Sequence, residues 1–248
     1  MGLFDLLSKD KRDARQFGKN LQRAVEKYAQ SADRMVALEA LADDGSDDAL
    51  YGLLKRFALM YDKTIEDEQE KRWVFDTLVA KGAAALPAVK RYLMSADSVS
   101  WPLRVLQKIA GTEQELTMVE ETLAKHEPGY ERDPTKKIQL IGHLAGLEHA
   151  RAPSLVLPYL ADMDEGVRFT TVEALIAHKD EAAREPLLAL FASDAEDSLR
   201  IRSKIAEGFA DLGWLVEGHR GGVEKKLPEG FAIDREGHVR RRGGGERK

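Results

Sequence analysis

A repeat governs this chain. Pro186-Leu187-Leu188 runs on to Asp194, then to Leu199-Arg200 and Ala206, and 33 residues upstream Pro153-Ser154-Leu155 runs on to Asp162, Val167-Arg168 and Ala174. Both copies keep a six-residue step from aspartate to arginine and a further six to alanine. A third copy leads from Pro87-Ala88-Val89 to Asp97, Leu103-Arg104 and Ala110, with one extra residue where Trp101-Pro102 is accommodated. The prolines at 87, 153 and 186 are separated by 66 and 33 residues, which predicts a degenerate copy around Glu120. Glu115 to His126 and Pro134 to Gly146 supply two helical patterns there, with Lys137 near the arginine position. Arg34 and Ala40 keep the final step at the other end. A period of this length belongs to stacked supersecondary units, because one helix pair cannot bury both of its faces alone.

Each unit reads as two helices. Leu187, Leu190 and Phe191, or Val89, Tyr92 and Leu93, recur at helical spacing in the first, and Val167, Thr171, Ala174, Leu175 and His178 trace one stripe of a second. Leu103, Leu106, Ile109 and Ala110 trace another. Proline near a helix start costs nothing, since its missing N–H would have had no partner. Gly45, Gly82, Gly111, Gly146 and Gly213 fall where second helices should end, as left-handed caps. Thr112-Glu113-Gln114-Glu115 fits a capping box, and Asp133-Pro134 a cap followed by proline. Six helix pairs are expected, over residues 13–43, 47–82, 84–111, 113–146, 152–178 and 181–213. The composition agrees: 43% hydrophobic and 33% charged residues with 7% aromatics suit a charge-rich helical protein and argue against a disordered one.

The pattern Pro-x-Leu-Leu, Asp, Val/Leu-Arg, Ala resembles HEAT repeats, particularly the bacterial subgroup named after phycobilisome lyases, over roughly residues 30 to 213. The resemblance implies an all-α chain, an α-solenoid of about six HEAT-like pairs whose Val/Leu-Arg helices line a concave side. It also implies a ladder in which Arg104, Arg168 and Arg200 face Asp97, Asp162 and Asp194 of neighbouring turns. The same fold hosts scaffolds, lyases and base-excision enzymes, so it does not by itself assign an activity.

Sharper chemistries find little support. Zero cysteines exclude disulfides, thiolate metal sites and cysteine nucleophiles. His126-Glu127 is a lone His-Glu pair, whereas a di-iron hydroxylase of this fold would repeat such pairs; His143 and His149 do not share a helical face, and His178 suits a helix C-terminus. No G-x-S-x-G elbow is present, and Gly243-Gly244-Gly245 lacks the strand and helix of a phosphate loop. No metal and no cofactor are expected. Trp73, Trp101 and Trp214 raise the alternative of a nucleic-acid enzyme of the DNA glycosylase type, with Trp101 and Arg104 one turn apart, and the subgroup name raises that of a bilin-lyase-like protein. An acidic body weighs against a DNA groove.

Charge divides the chain. From His219 onward nine basic residues face five acidic ones, leaving a net −9 for residues 1–218. Leu3, Phe4, Leu6 and Leu7 precede Lys9, Lys11 and Arg12; residues 1–12 are expected to cap the first pair, with a membrane surface or a partner groove as the other destinations. Gly2 does not begin a myristoylation motif, because Leu6 stands where Ser or Thr is needed. The same segment is too short for a signal peptide, and the expected location is cytoplasmic. Residues 219–248 read as a hairpin, Leu227 to Ile233 and Gly237 to Arg240 around Asp234-Arg235-Glu236-Gly237, followed by a basic tail of Arg240-Arg241-Arg242 and Arg247-Lys248 open to acidic protein, lipid or RNA. The expected function is a non-enzymatic adaptor, contacting a protein partner through Gln107, Lys108, Thr170, Glu173, Lys204 and Glu207 on the second helices.

Overall fold

The computed structural model describes residues 3–60 and 64–242, with side chains for 12–60 and 65–242. The chain is all-α with a small C-terminal hairpin. Each span expected from the sequence holds two α-helices, except that the first helix starts at Leu3, within residues 1–12, which the sequence sets apart as a separate cap: α1 (Leu3–Ala24) and α2 (Ser31–Asp44), α3 (Asp47–Lys55) and α4 (Thr64–Lys81), α5 (Leu86–Ser95) and α6 (Ser100–Ile109), α7 (Thr112–Leu123) and α8 (Thr135–Ala145), α9 (Ala152–Val156) and α10 (Glu165–His178), α11 (Arg184–Ala192) and α12 (Leu199–Leu212). Among the described residues no helix is long and apolar enough to cross a membrane.

The contacts divide the chain into two compact units, Met1–Glu115 and Leu116–Lys248. In the first, α1, α3 and α5 pack in sequence as one layer and α2, α4 and α6 as the other. Leu38, Leu41, Leu53 and Leu78 lie fully buried there. In the second, α8, α10 and α12 pack in sequence, with Leu140, Leu175, Ile205 and Phe209 buried among them. Stacking like with like lets each helix bury one stripe against its own partner and another against the next pair.

Local chemistry sets the boundaries. The side chains of Ser46, Asp164 and Ser198 accept the N–H groups of Ala49, Val167 and Ile201, capping α3, α10 and α12. Pro87 and Pro153 stand in the first turn of α5 and α9, where they remove no helical bond. The glycine caps hold only in part. Gly45, Gly82 and Gly213 follow α2, α4 and α12 in the left-handed conformation, but Gly146 is right-handed, α6 ends on an extended Ala110 before Gly111, and α10 is ended by Lys179 at φ 56°.

Pro158 has the largest local consequence. It cannot donate to the carbonyl four residues before it, so the first helix of the fifth pair gives way after Val156 to a 3-10 turn over Leu157–Ala161. At the C-terminus a short helix, α13 (Arg220–Lys226), precedes the hairpin, an element the sequence reading lacks. Gly221-Gly222 hid it, since glycine disfavours helix interiors. Here Gly222 lets α13 approach α11, for a Cβ would lie 3.0 Å from that of Ala192. Strands β1 (Phe231–Ile233) and β2 (Val239–Arg241) are antiparallel with Ile233 opposite Val239, and Phe231 and Val239 are buried. Gly243 to Lys248, including the tail's Arg247-Lys248, and the side chains of Leu3 to Leu7 lie outside the described residues.

Candidate functional site

A cation stands early in the second helix of several pairs, and its bonding repeats. Arg34, Arg168 and Arg202 are each the fourth residue of α2, α10 and α12, and Lys137 is the third of α8. Each donates to carbonyls of the turn just before its helix: Arg34 to Glu26 and Ala29, Lys137 to Gly129, Arg168 to Asp162 and Met163, and Arg202 to Ser193 and Glu196, with a further bond to Phe191 at the end of α11. Three of them also bind a carboxylate supplied by the next pair, Arg34 to Glu70, Lys137 to Asp162 at 2.8 Å and Arg168 to Glu196 at 2.8 Å. The carboxylates in turn hold the following turns, since Asp162 accepts the Asp164 N–H and Glu196 the Ser198 N–H, each two residues on. A ladder therefore exists, but its rungs are not the expected ones.

The expected pairings need correction. Arg168 bonds to Glu196 and not to Asp194; Asp194 is exposed and binds Lys226. Arg200 binds Glu165 and lies 3.5 Å over the Phe169 ring. Arg104 lies over the rings of Trp101 and Phe75, and Asp97 is exposed. The cause is register: the residue equivalent to Arg168 in the last pair is Arg202, 34 residues on, because the turn from α11 to α12 (residues 193–198) is longer than the one from the 3-10 turn to α10 (residues 162–164). In the first unit the network is buried apart from Ser31, with Glu70 shared by Arg34, Arg56 and Ser31, and Asp67 shared by Arg56 and Lys71. Burial alone would raise the Glu70 carboxyl, but hydrogen bonds from Arg34, Ser31 and Arg56 outweigh it and hold it at about 2.

In the second unit the same bonding presents a surface. The turn from Ala124 to Pro134 is tied down by Lys137 on the Gly129 carbonyl, by the Gly129 N–H on Asp162, and by His126 on Glu131. Its Tyr130 is 80% exposed, and Met163, beside Asp162, is 70% exposed. Next to Met163 an open groove of about 750 Å³ runs between the 3-10 turn and α11, walled by Leu157, Pro158, Ala189 and Leu190. The Arg168–Glu196 pair forms part of its lining. Burial opposes ionisation of Glu196, yet hydrogen bonds from Arg168 and the Ser198 N–H keep its carboxyl below the usual range. The groove exists because Pro158 breaks the helix.

The positions picked from sequence fall elsewhere. Gln107 and Lys108 are exposed on α6. Thr170 is half-buried and Glu207 exposed, while Glu173 of α10 and Lys204 of α12 are brought together at 3.2 Å and neutralise each other. Trp101 is half-buried, stacked on Phe57 with ring centroids 5.4 Å apart and met edge-on by Phe75. Trp214 meets Phe209 edge-on. His178 bonds to the Leu144 carbonyl and His219 to Glu185. Among the described residues Asp234, Glu236 and His238 gather their ligand atoms within 4.8 Å. The Asp234 carboxylate, however, accepts the N–H groups of Glu236 and His238 and carries Arg240 at 2.9 Å, which makes it the anchor of the hairpin turn. Sequence reasoning missed Tyr130, Met163 and Leu190. The signal for Met163 and Leu190 was Leu157-Pro158, a proline inside a first helix.

No family model matches the chain, and no characterised protein matches its sequence.

Proposed function

We propose that the chain is a protein–protein interaction module, an adaptor of the HEAT-like solenoid class that docks a partner on the second unit, at the groove beside Pro158. The 33-residue spacing of the prolines and the cations placed early in α2, α8, α10 and α12 support the class. The docking reading rests on one observation: an open apolar groove of about 750 Å³, lined by Leu157, Pro158 and Leu190, at which Met163 stands 70% exposed. Exposed apolar surface of this kind is costly unless something covers it, and rigid aromatic and thioether side chains are preferred anchors in interfaces. The charged groups at the groove are consumed by structural bonds, which suits a surface for recognition better than one for catalysis.

Capture from a native cell extract tests this reading, comparing wild type with Leu190→Asp and with Glu173→Lys. A protein identified by mass spectrometry, reconstituted with the purified chain, retained by Glu173→Lys and lost by Leu190→Asp supports groove docking. Loss by Glu173→Lys alone moves the site to the second helices. If wild type forms no binary complex with any captured protein, the adaptor reading fails.

A further inference from the structure

Arginines lie on aromatic rings at several places in this chain, and a carboxylate of the same chain completes most of them. Arg72 lies over Phe75 and pairs with Asp76 at 3.1 Å. Arg91 lies over Tyr51 and pairs with Asp48 at 2.8 Å and Asp47 at 3.1 Å. Arg200 lies over Phe169 and pairs with Glu165 at 3.2 Å. Arg104 differs. Its guanidinium carbon sits 4.4 Å from the Trp101 ring centroid and 5.7 Å from that of Phe75, but among the described residues its nitrogens meet neither a carboxylate nor a carbonyl.

The sequence explains the vacancy. Leu103-Arg104 and Leu199-Arg200 hold the same place in the repeat, and each arginine reaches a ring of the preceding second helix, Phe75 of α4 or Phe169 of α10. One helical turn before its ring α10 carries Glu165, on the same face and within reach of the arginine. One turn before Phe75, α4 carries Lys71, which is buried on Asp67. Asp76, next to Phe75, is taken by Arg72, and α6 itself has no acidic residue from Ser100 to Ile109. Lys108 stands one turn beyond Arg104 on that helix, exposed and likewise without an ion pair among the described residues. Stacking occupies the plane of a guanidinium and leaves its edge donors in a fixed fork, the geometry that matches two carboxylate oxygens.

We propose that Arg104, held on Trp101 and Phe75, is the anchor for an acidic segment of a partner protein, whose carboxylate takes the place that Glu165 fills for Arg200, with Lys108 receiving a second acidic side chain. Aspartates or glutamates one turn apart on a partner helix repeat the spacing of Arg104 and Lys108. Arginine and tryptophan together are also the residue types that dominate binding energy in interfaces. This contact belongs to the first unit and does not depend on the groove reading.

Anisotropy of two fluorescein-labelled peptides on the full chain tests it: one of alternating glutamate and alanine, and its counterpart with every glutamate replaced by glutamine. The glutamate peptide should bind saturably and the glutamine peptide should not. Arg104→Gln should weaken the glutamate peptide about tenfold, and Arg104→Lys, which keeps the charge without the fork, should weaken it several-fold. Lys225→Gln, the same loss of charge at an exposed position of α13, should leave it unchanged. Absence of saturable binding overturns the proposal. So does an Arg104→Gln protein with intact helical circular dichroism that weakens the peptide no more than Lys225→Gln does, because the attraction is then general. Equal binding by Arg104→Lys and wild type removes the fork. A single-stranded oligonucleotide that binds more tightly than the glutamate peptide and is lost with Arg104→Gln would assign the site to phosphate and refute an acidic protein segment.

Discussion

At the scale of single residues, this chain places charges where hydrocarbon would be expected. Arg34, Arg56 and Lys137 are each 1% exposed or less, and each is enclosed by carboxylates and turn carbonyls. Removing one partner of such a pair strands the other, which costs far more than the pair itself contributes. Glu70→Gln should therefore destabilise the first unit by about 3–5 kcal/mol in chemical denaturation. The carboxyl of Glu70 sits at about 2 in the folded protein, below its ordinary 4.5, so its contribution is complete above about pH 4.5 and is lost as pH falls toward 2. Melting temperature should decline across that window in the wild type and decline less in Glu70→Gln; parallel profiles would contradict the assignment. Lys137→Met should free the turn carrying Tyr130, read as faster amide exchange at Gly129 than in wild type.

At the scale of elements, helix against helix, close approach is bought with glycine. A Cβ on Gly208 of α12 would lie 2.5 Å from Cδ1, 2.8 Å from Cγ1 and 3.1 Å from Cγ2 of Ile176 on α10. Isoleucine is branched at Cβ and stiff about its first torsion, so it cannot swing clear. Gly208→Ala should cost about 1–3 kcal/mol despite alanine's better helix propensity, and Ile176→Ala in the same chain should recover part of that loss. Additive effects in a double-mutant cycle would show that the two helices do not meet there.

The helices themselves were readable because the 33-residue spacing and the 3.6-residue stripes report burial directly. Less could be read where one residue overrode the pattern. The break at Pro158 follows from proline's missing N–H inside a helical pattern, and the glycine-containing α13 is set by packing against α11, which propensity does not see. The arginine ladder was legible in kind but not in register: Leu199-Arg200 copies Val167-Arg168 in sequence, while a longer turn hands the bond to Arg202. Tyr130 and Met163 carry no periodic signal at all, since exposure in a turn leaves no trace in hydrophobic spacing.

At the scale of the whole molecule, charge is the organising asymmetry. Residues 1–115 hold nineteen acidic and eighteen basic side chains, close to balance, whereas the surplus of acid lies in residues 116–218. The basic residues after 219 are partly spent within the second unit, with Arg241 on Asp211 and Arg240 on Asp234. A partner drawn by electrostatics should therefore be drawn to the second unit. The most direct test is hydrogen–deuterium exchange of the full chain with and without its reconstituted partner. The account predicts protection in residues 157–163 and 186–197, with residues 12–60 unchanged. Protection centred on the exposed faces of α6, α10 and α12, with the groove unaffected, would contradict it.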